Sequence, residues 1–98
     1  MRTNDVNELH QRFISCGLPE YMWGGMQRYL FSGIPPGHFL TAVLCNDLRE
    51  CIGRADDTNV RLLREYVLFL YNDTPSGCWG SEENYRAWIE RGGLQLTE

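Results

Sequence analysis

Apolar residues recur along much of this chain at the three- and four-residue spacing of amphipathic helices. Near the N-terminus this spacing predicts a helix over about residues 4–15, with Asn4 or Asp5 as its cap. A second predicted helix starts at Pro19, since proline suits the first turn of a helix, and continues to about Phe31, where Ser32-Gly33 is its predicted end. Two adjacent glycines inside it predict close helix packing, a kink or a ligand contact: Gly24 and Gly25.

The most apolar segment predicts the central helix of the fold, over residues 38–52. A rigid Ile34-Pro35-Pro36-Gly37 connector precedes it, and Gly53 is its predicted end. The residues expected to face inward are Phe39, Leu40, Val43, Leu44, Leu48 and Ile52. A polar arc on another side of this helix comprises His38, Asn46, Arg49 and Glu50.

Two further helices are predicted after Gly53. One covers about residues 58–71, begins at an aspartate or Thr58 cap, and carries two apolar rows that make it the main partner of the central helix. The last helix runs from a Ser81 cap to a Gly92-Gly93 stop. We therefore predict an all-α single domain over residues 1–98, a compact bundle of about five helices around the central one.

Composition narrows the class of protein. The chain has 98 residues, 43% of them apolar, which suits one globular domain. No apolar run approaches the ~20 residues that cross a bilayer, and the first residues lack the basic-then-apolar order of a signal peptide. We expect a cytoplasmic protein that does not enter the membrane.

The cysteines and histidines do not form a metal-binding pattern. Cys45 and Cys51 are six positions apart, on different faces of a helix, and neither a CxxC nor a paired Cys/His motif occurs. His10 and His38 are isolated in the sequence. We expect reduced cysteines that act as small apolar residues, no metal site and no cofactor.

Catalytic motifs are also missing from the sequence. It contains no glycine-rich phosphate loop, nucleophile elbow or HExxH motif. His38 and Asn46 stand about two helical turns apart, too far to act together directly. We expect a chain that is not an enzyme. The alternative, a small hydrolase, would need a pocket near His38 and the region of Asp47 and Asp56.

Charge argues against direct DNA binding. The net charge is -4, from 13 acidic residues and nine basic residues that are all arginine. A duplex-binding protein needs a basic patch, whereas the helix that would serve for recognition begins beside Asp56 and Asp57. A DNA-binding or transcriptional accessory protein therefore stays the alternative hypothesis.

Aromatic residues and arginines favour binding to a protein. Three tryptophans and five tyrosines are many for a core of this size, and Trp, Tyr and Arg dominate interface hot spots. Trp79 lies in a predicted loop, where it either meets a partner or folds back over the bundle, and a homodimer could also cover such residues. Four acidic residues, if they shared a face, could mimic DNA phosphates. The candidate binding residues are Trp79, Trp23, His38, Asn46, Arg49, Glu50, Asp56, Asp57, Glu82 and Glu83.

Four segments of the sequence are distinctive: Gly33 to Leu44, Asn46-Asp47-Leu48, Gly53-Arg54-Ala55-Asp56, and Pro75 to Ser81. Through them, about residues 27–91 resemble a group of small uncharacterised proteins of bacteriophages and prophages from GC-rich bacteria. The resemblance supplies no activity and no binding residues. It implies a phage setting, in which small acidic proteins often inhibit host defence, as anti-CRISPR proteins do. We therefore expect a phage-encoded inhibitor that acts in the cytoplasm of a bacterial host and occludes a surface of a host protein or complex.

Overall fold

Helices form all the regular secondary structure of residues 5–94, the part of the chain that the computed structural model describes. Short 3₁₀ turns at Glu20–Met22 and Ser76–Cys78 precede the second and the last α-helix. None of the helices in this part of the chain is long and apolar enough to cross a membrane. The α-helices are α1 (Val6–Ser15), α2 (Trp23–Ser32), α3 (His38–Leu44), α4 (Leu48–Arg54), α5 (Asp57–Arg61), α6 (Leu63–Asp73) and α7 (Glu82–Arg91).

The all-α class is confirmed, but the predicted central helix over residues 38–52 is wrong as a single element. The chain leaves the helical conformation at Asn46, whose left-handed φ of 61° is one that asparagine tolerates better than most residues. The Asp47 carboxylate then accepts a hydrogen bond from the backbone N–H of Glu50 and caps α4. Two short helices, α3 and α4, therefore pack against each other where one long helix is predicted.

This break turns part of α4 outward. The prediction that Leu48 and Ile52 face the core is wrong, since their exposed fractions are 66% and 54%. The predicted end at Gly53 is one residue early, because α4 continues to Arg54. The predicted helix over residues 58–71 also divides, at Leu62, into α5 and α6. These two divisions raise the number of α-helices in residues 5–94 from the predicted five to seven.

Several predicted helix ends are confirmed. Asp5 caps α1 by accepting hydrogen bonds from two backbone N–H groups, while its alternative, Asn4, lies outside residues 5–94. Gly33 ends α2 in the left-handed conformation, and Gly92 ends α7 in the same way. Ser81 caps α7 through its hydroxyl. Each of these signals is local, so it acts without help from the rest of the fold.

The core lies mainly among α1, α2, α3 and α6. Aromatic rings meet there edge to face: the centroids of Phe13 and Phe69 are 5.3 Å apart, and those of Phe39 and Tyr66 are also 5.3 Å apart. The buried Tyr66 hydroxyl donates a 2.7 Å hydrogen bond to Oδ1 of Asn59, so the two polar groups satisfy each other. Packing in this core sets the position of α6 and leaves another side of the helix outside the core.

The double glycine lies in the first turn of α2 and does not break the helix. A Cβ on Gly25 would lie 3.6 Å from the Leu40 side chain and 3.8 Å from that of Pro36, which are ordinary contact distances. The helix continues through both glycines to Ser32. A side chain as small as alanine would therefore fit at Gly25 without displacing α3.

Candidate protein-binding groove

The helix α6 carries apolar residues on two sides. Its core side comprises Tyr66, Phe69 and Leu70, all buried. A separate outer side carries Leu63, Val67, Leu68 and Tyr71. Val67 and Tyr71 stand one helical turn apart and are 42% and 68% exposed. The two apolar rows predicted for this helix therefore do not both enter the core.

An apolar groove of about 570 Å³ lies between α4 and this outer side of α6; we call it the α4–α6 groove. Its more deeply placed residues are Val43, Cys51, Leu63 and Leu68, which are buried or half-buried. The exposed residues beside them are Asn46, Leu48, Arg64 and Val67. Trp79 and Gly80, from the loop before α7, complete the lining.

The loop that carries Trp79 is held by hydrogen bonds from three helices. The Tyr29 hydroxyl of α2 donates to the Cys78 carbonyl at 2.6 Å. The backbone N–H of Gly80 donates to the Leu44 carbonyl of α3 at 2.8 Å. The side-chain amide of Asn84 in α7 donates to the Trp79 carbonyl at 3.0 Å. Trp79 is consequently half-buried on a fixed loop, with its side chain beside the groove.

The groove is nearly free of ionisable groups. Of the described residues that line it, Arg64 alone carries a full charge, and its side chain is 78% exposed. The Cys51 thiol lies in the groove lining as well. Its burial raises its pKa, so the thiol stays protonated and behaves as an apolar group. The surface that this groove offers is therefore apolar with a positive edge.

A second depression, polar and about 240 Å³ in volume, lies beside the opposite side of α4. It gathers three of the predicted site residues: the α3–α4 packing brings His38 and Glu50 together, and Glu82 joins them from the start of α7. Asp47, Arg54 and Cys45 also line it. Glu50 pairs with Arg54 at 3.2 Å, so part of its charge is compensated.

The chemistry available in this polar depression is limited. Burial raises the pKa of the Cys45 thiol, and the nearby Glu82 carboxylate acts in the same direction, so the nucleophilic thiolate is disfavoured. General acid–base catalysis by His38 would need a hydrogen-bond partner that orients its ring, and residues 5–94 provide none. The same residues contain no group of three or more His, Cys, Asp or Glu side chains placed to hold a metal ion. Asp56, which the small-hydrolase hypothesis includes, is not among the lining residues.

The other candidate residues lie in separate places. Trp23 is only 4% exposed and its ring stacks on that of His10, with centroids 4.9 Å apart, so it belongs to the core and not to the surface. Asn46 lies beside the groove and Arg49 is exposed on α4. The four acidic residues considered for DNA mimicry are exposed and divide between the N-termini of two helices: Asp56 and Asp57 at α5, and Glu82 and Glu83 at α7.

Sequence reasoning missed Leu48, Arg64 and Val67 as surface residues of a groove. A signal for the first was present: Asp47 stands three residues before Glu50, the spacing of a helix N-cap pair. In a separate helix that starts at Leu48, Leu48 and Ile52 lie on one apolar stripe, which need not face the same way as the apolar residues of α3. For Val67 and Arg64 we find no comparable local signal, because their exposure depends on where α4 lies.

Comparison with protein families, with curated proteins and with solved structures found no match to this chain. Its function is therefore argued from the α4–α6 groove and from the residues around it.

Proposed function

We propose that this protein acts by binding another protein through the α4–α6 groove. The observation that carries the proposal is the exposure of Leu48 and Val67, at 66% and 42%, on either side of an apolar floor. Apolar side chains gathered around a concave surface are typical of interaction sites, whereas scattered single ones are ordinary. The volume of about 570 Å³ is large enough to accept side chains of a partner.

Trp79 adds to the support for this site. Tryptophan is enriched among the residues that dominate interface energies, and here it lies beside an apolar groove. Its loop is already fixed by hydrogen bonds that involve Tyr29, Leu44 and Asn84. A preorganised loop loses little conformational entropy on binding, so more of the contact energy contributes to affinity.

The biological setting that we propose is a bacteriophage one. The resemblance of residues 27–91 to small phage and prophage proteins supports an inhibitor that occludes a surface of a host defence complex, such as a CRISPR effector. The Trp79 loop belongs to one of the four segments that carry this resemblance. In this proposal the protein acts without a cofactor, and the groove is the surface that the host protein covers.

The experiment compares the chain with two variants of equal chemical change. Leu48→Asp places a charge beside the groove, and Ile14→Asp places one on α1, where Ile14 is also an exposed apolar residue, at 39%. Each is immobilised for capture from lysate of a CRISPR-active host, and the captured partner is then titrated in purified form. We expect Leu48→Asp to weaken binding at least tenfold, the range of a hot-spot loss, and Ile14→Asp to bind like the original chain.

The outcome that contradicts the groove is a partner that binds the Leu48→Asp variant as tightly as the original chain. The defence setting is tested separately, by plating phage on the CRISPR-active strain with and without expression of the protein. Unchanged plating efficiency would remove the inhibitor hypothesis. A gel shift with duplex DNA at low salt tests the DNA-binding alternative, which requires a shift that weakens as salt rises.

A further inference from the structure

We infer that the partner segment which enters the α4–α6 groove is an acidic amphipathic helix, with an apolar face flanked by carboxylates. This inference rests on the proposed function, and it specifies the chemistry of the partner at the same site. It follows from how charges are divided around α4 and α6, and from the kinds of secondary structure that border the groove.

The helix α4 separates its charges by side. Its cap Asp47 and its Glu50 line the polar depression, together with Arg54. Leu48 lines the groove, and the exposed Ile52 follows it by one turn. The exposed residue next to this apolar strip is Arg49, which makes no ion pair within residues 5–94. The acidic groups of α4 thus lie away from the groove, and the exposed Arg49 lies beside the apolar strip of Leu48 and Ile52, outside the groove lining.

The helix α6 likewise carries an exposed arginine beside its exposed apolar strip. At about 100° per residue, Arg64 lies on the same side of α6 as Val67 and Tyr71. Its ion pair with the adjacent Glu65 is long, at 3.6 Å, and its side chain is 78% exposed. Such an exposed pair contributes little energy, so the guanidinium can turn to a partner's carboxylate at little cost. Both exposed apolar strips are therefore flanked by arginine, in a chain of net charge -4.

The form of the partner follows from the fold. Residues 5–94 contain no strand, so they offer no sheet edge to which an extended peptide could add. A groove between two helices instead accepts the apolar face of a third helix, through side chains spaced three or four residues apart. Leu48 and Ile52 on α4, and Val67 and Tyr71 on α6, are exposed apolar pairs with this helical spacing, and Leu48 and Val67 line the groove. A carboxylate beside that face would meet Arg64, the exposed arginine of the groove lining.

The test uses two synthetic peptides of about 16 residues, both with leucines at the i, i+3, i+4 and i+7 positions of a helix. One carries glutamates beside the leucines, and the other carries lysines at the same positions. Binding to the full chain is followed by the change in tryptophan fluorescence, which we assign to Trp79 because Trp23 and Trp88 are only 4% and 3% exposed and lie outside the groove lining. Arg64→Glu is compared with Arg28→Glu, an equal change of charge at an exposed position of α2 outside the groove.

We expect the glutamate peptide to bind at least tenfold more tightly than the lysine peptide. Arg64→Glu should remove or reverse this preference, whereas Arg28→Glu should preserve it. Leu48→Asp should weaken the binding of both peptides. A thermal unfolding curve for each variant verifies that it is folded before its binding is measured.

Equal binding of the two peptides, tighter binding of the lysine peptide, or no binding of the glutamate peptide overturns the inference. A dimer that dissociates on Leu48→Asp substitution in analytical ultracentrifugation also overturns it, since a second copy would then be the occupant. If a captured host protein depends on Leu48 while the glutamate peptide does not bind, the proposed function stands and the acidic helix is wrong. If neither depends on Leu48, both are wrong.

Discussion

Gly33 and Gly93 bring the ends of α2 and α7 into direct backbone contact. A Cβ on Gly93 would lie 2.7 Å from the backbone nitrogen of Gly33, closer than real Cβ atoms approach other atoms. Both residues have left-handed φ angles, 69° at Gly33 and 76° at Gly93, which glycine adopts without steric cost. Just beyond, the Leu94 N–H donates a 2.9 Å hydrogen bond to the Leu30 carbonyl. Only two glycines allow this approach, and it seats α7 against α2.

Substitution of Gly93 by alanine is therefore expected to destabilise the fold strongly. Left-handed strain costs ~1–2 kcal/mol, and the collision with the α2 backbone adds to it, for a total above ~2 kcal/mol. Gly17→Ala is the matched control, because Gly17 has a φ of 88° but no atom within 4 Å of a Cβ. Urea unfolding measures both. Equal losses in the two variants would show that the glycine contact contributes nothing beyond backbone strain.

The parts of this fold that the sequence predicts are those with a local cause. The Asp5 cap, the Gly33 stop and the Ser81 cap act through neighbouring backbone groups, so their patterns are visible in the sequence. The break at Asn46 is different. Apolar residues continue at helical spacing across it, and the competing signal is one residue with a left-handed φ. The apolar spacing alone therefore predicts α3 and α4 as one continuous helix.

The candidate site is less predictable than the fold because it depends on packing. Trp23 looks like a surface candidate beside two glycines, yet it stacks on His10, thirteen positions earlier in the chain, and is buried. Val67 belongs to a predicted apolar row with Val60, Leu63 and Leu70, of which Leu70 is buried in the core whereas Val67 is 42% exposed beside the groove. The burial of Trp23 and the exposure of Val67 both depend on contacts between elements that are distant in the sequence. The local spacing of apolar and polar residues does not predict such contacts.

Substitutions at Asn46 distinguish the broken helix from a continuous one. With φ at 61°, Asn46→Gly should be neutral or slightly stabilising, and Asn46→Ala should cost ~1–2 kcal/mol of unfolding free energy. In a continuous helix over residues 38–52 the order would be the reverse, because alanine is the better helix former by ~1 kcal/mol. Thermal or urea unfolding of the two variants gives the order directly.

Asp56 is expected to make the stability depend on pH in the acidic range. Its carboxylate accepts hydrogen bonds from the Asn59 backbone N–H at 2.7 Å and from the Tyr21 hydroxyl at 2.8 Å. These bonds, the backbone one foremost, hold the pKa of Asp56 below its ordinary value. A lowered native pKa stabilises the fold fully above the unfolded carboxyl pKa of about 3.9, and this stabilisation is lost as pH falls through the native value.

The Asp56→Asn variant tests this dependence. Asparagine keeps the capping oxygen but does not titrate, so the variant should lose less stability between pH 7 and pH 3 than the original chain. The control is Asp57→Asn, an exposed neighbour in the first turn of α5. Urea midpoints at the two pH values provide the comparison. Equal losses in the original chain and in Asp56→Asn would contradict the role of this carboxylate.

Tyr29 connects the core to the Trp79 loop, and its hydroxyl should be needed to hold that loop in place. The buried hydroxyl donates to the Cys78 carbonyl at 2.6 Å, and burial raises the pKa of Tyr29, so the hydroxyl stays protonated. Tyr29→Phe leaves the carbonyl without this donor, at a cost of about 1–3 kcal/mol, and should increase amide hydrogen exchange in residues 76–80. Tyr21→Phe is the control, because it also removes a hydroxyl that donates a hydrogen bond, to Asp56, but lies outside both the loop and the groove lining. Because the loop positions Trp79 beside the groove, Tyr29→Phe should also weaken the binding of the glutamate peptide. Unchanged amide exchange and unchanged peptide affinity would show that the loop keeps its position without this hydrogen bond.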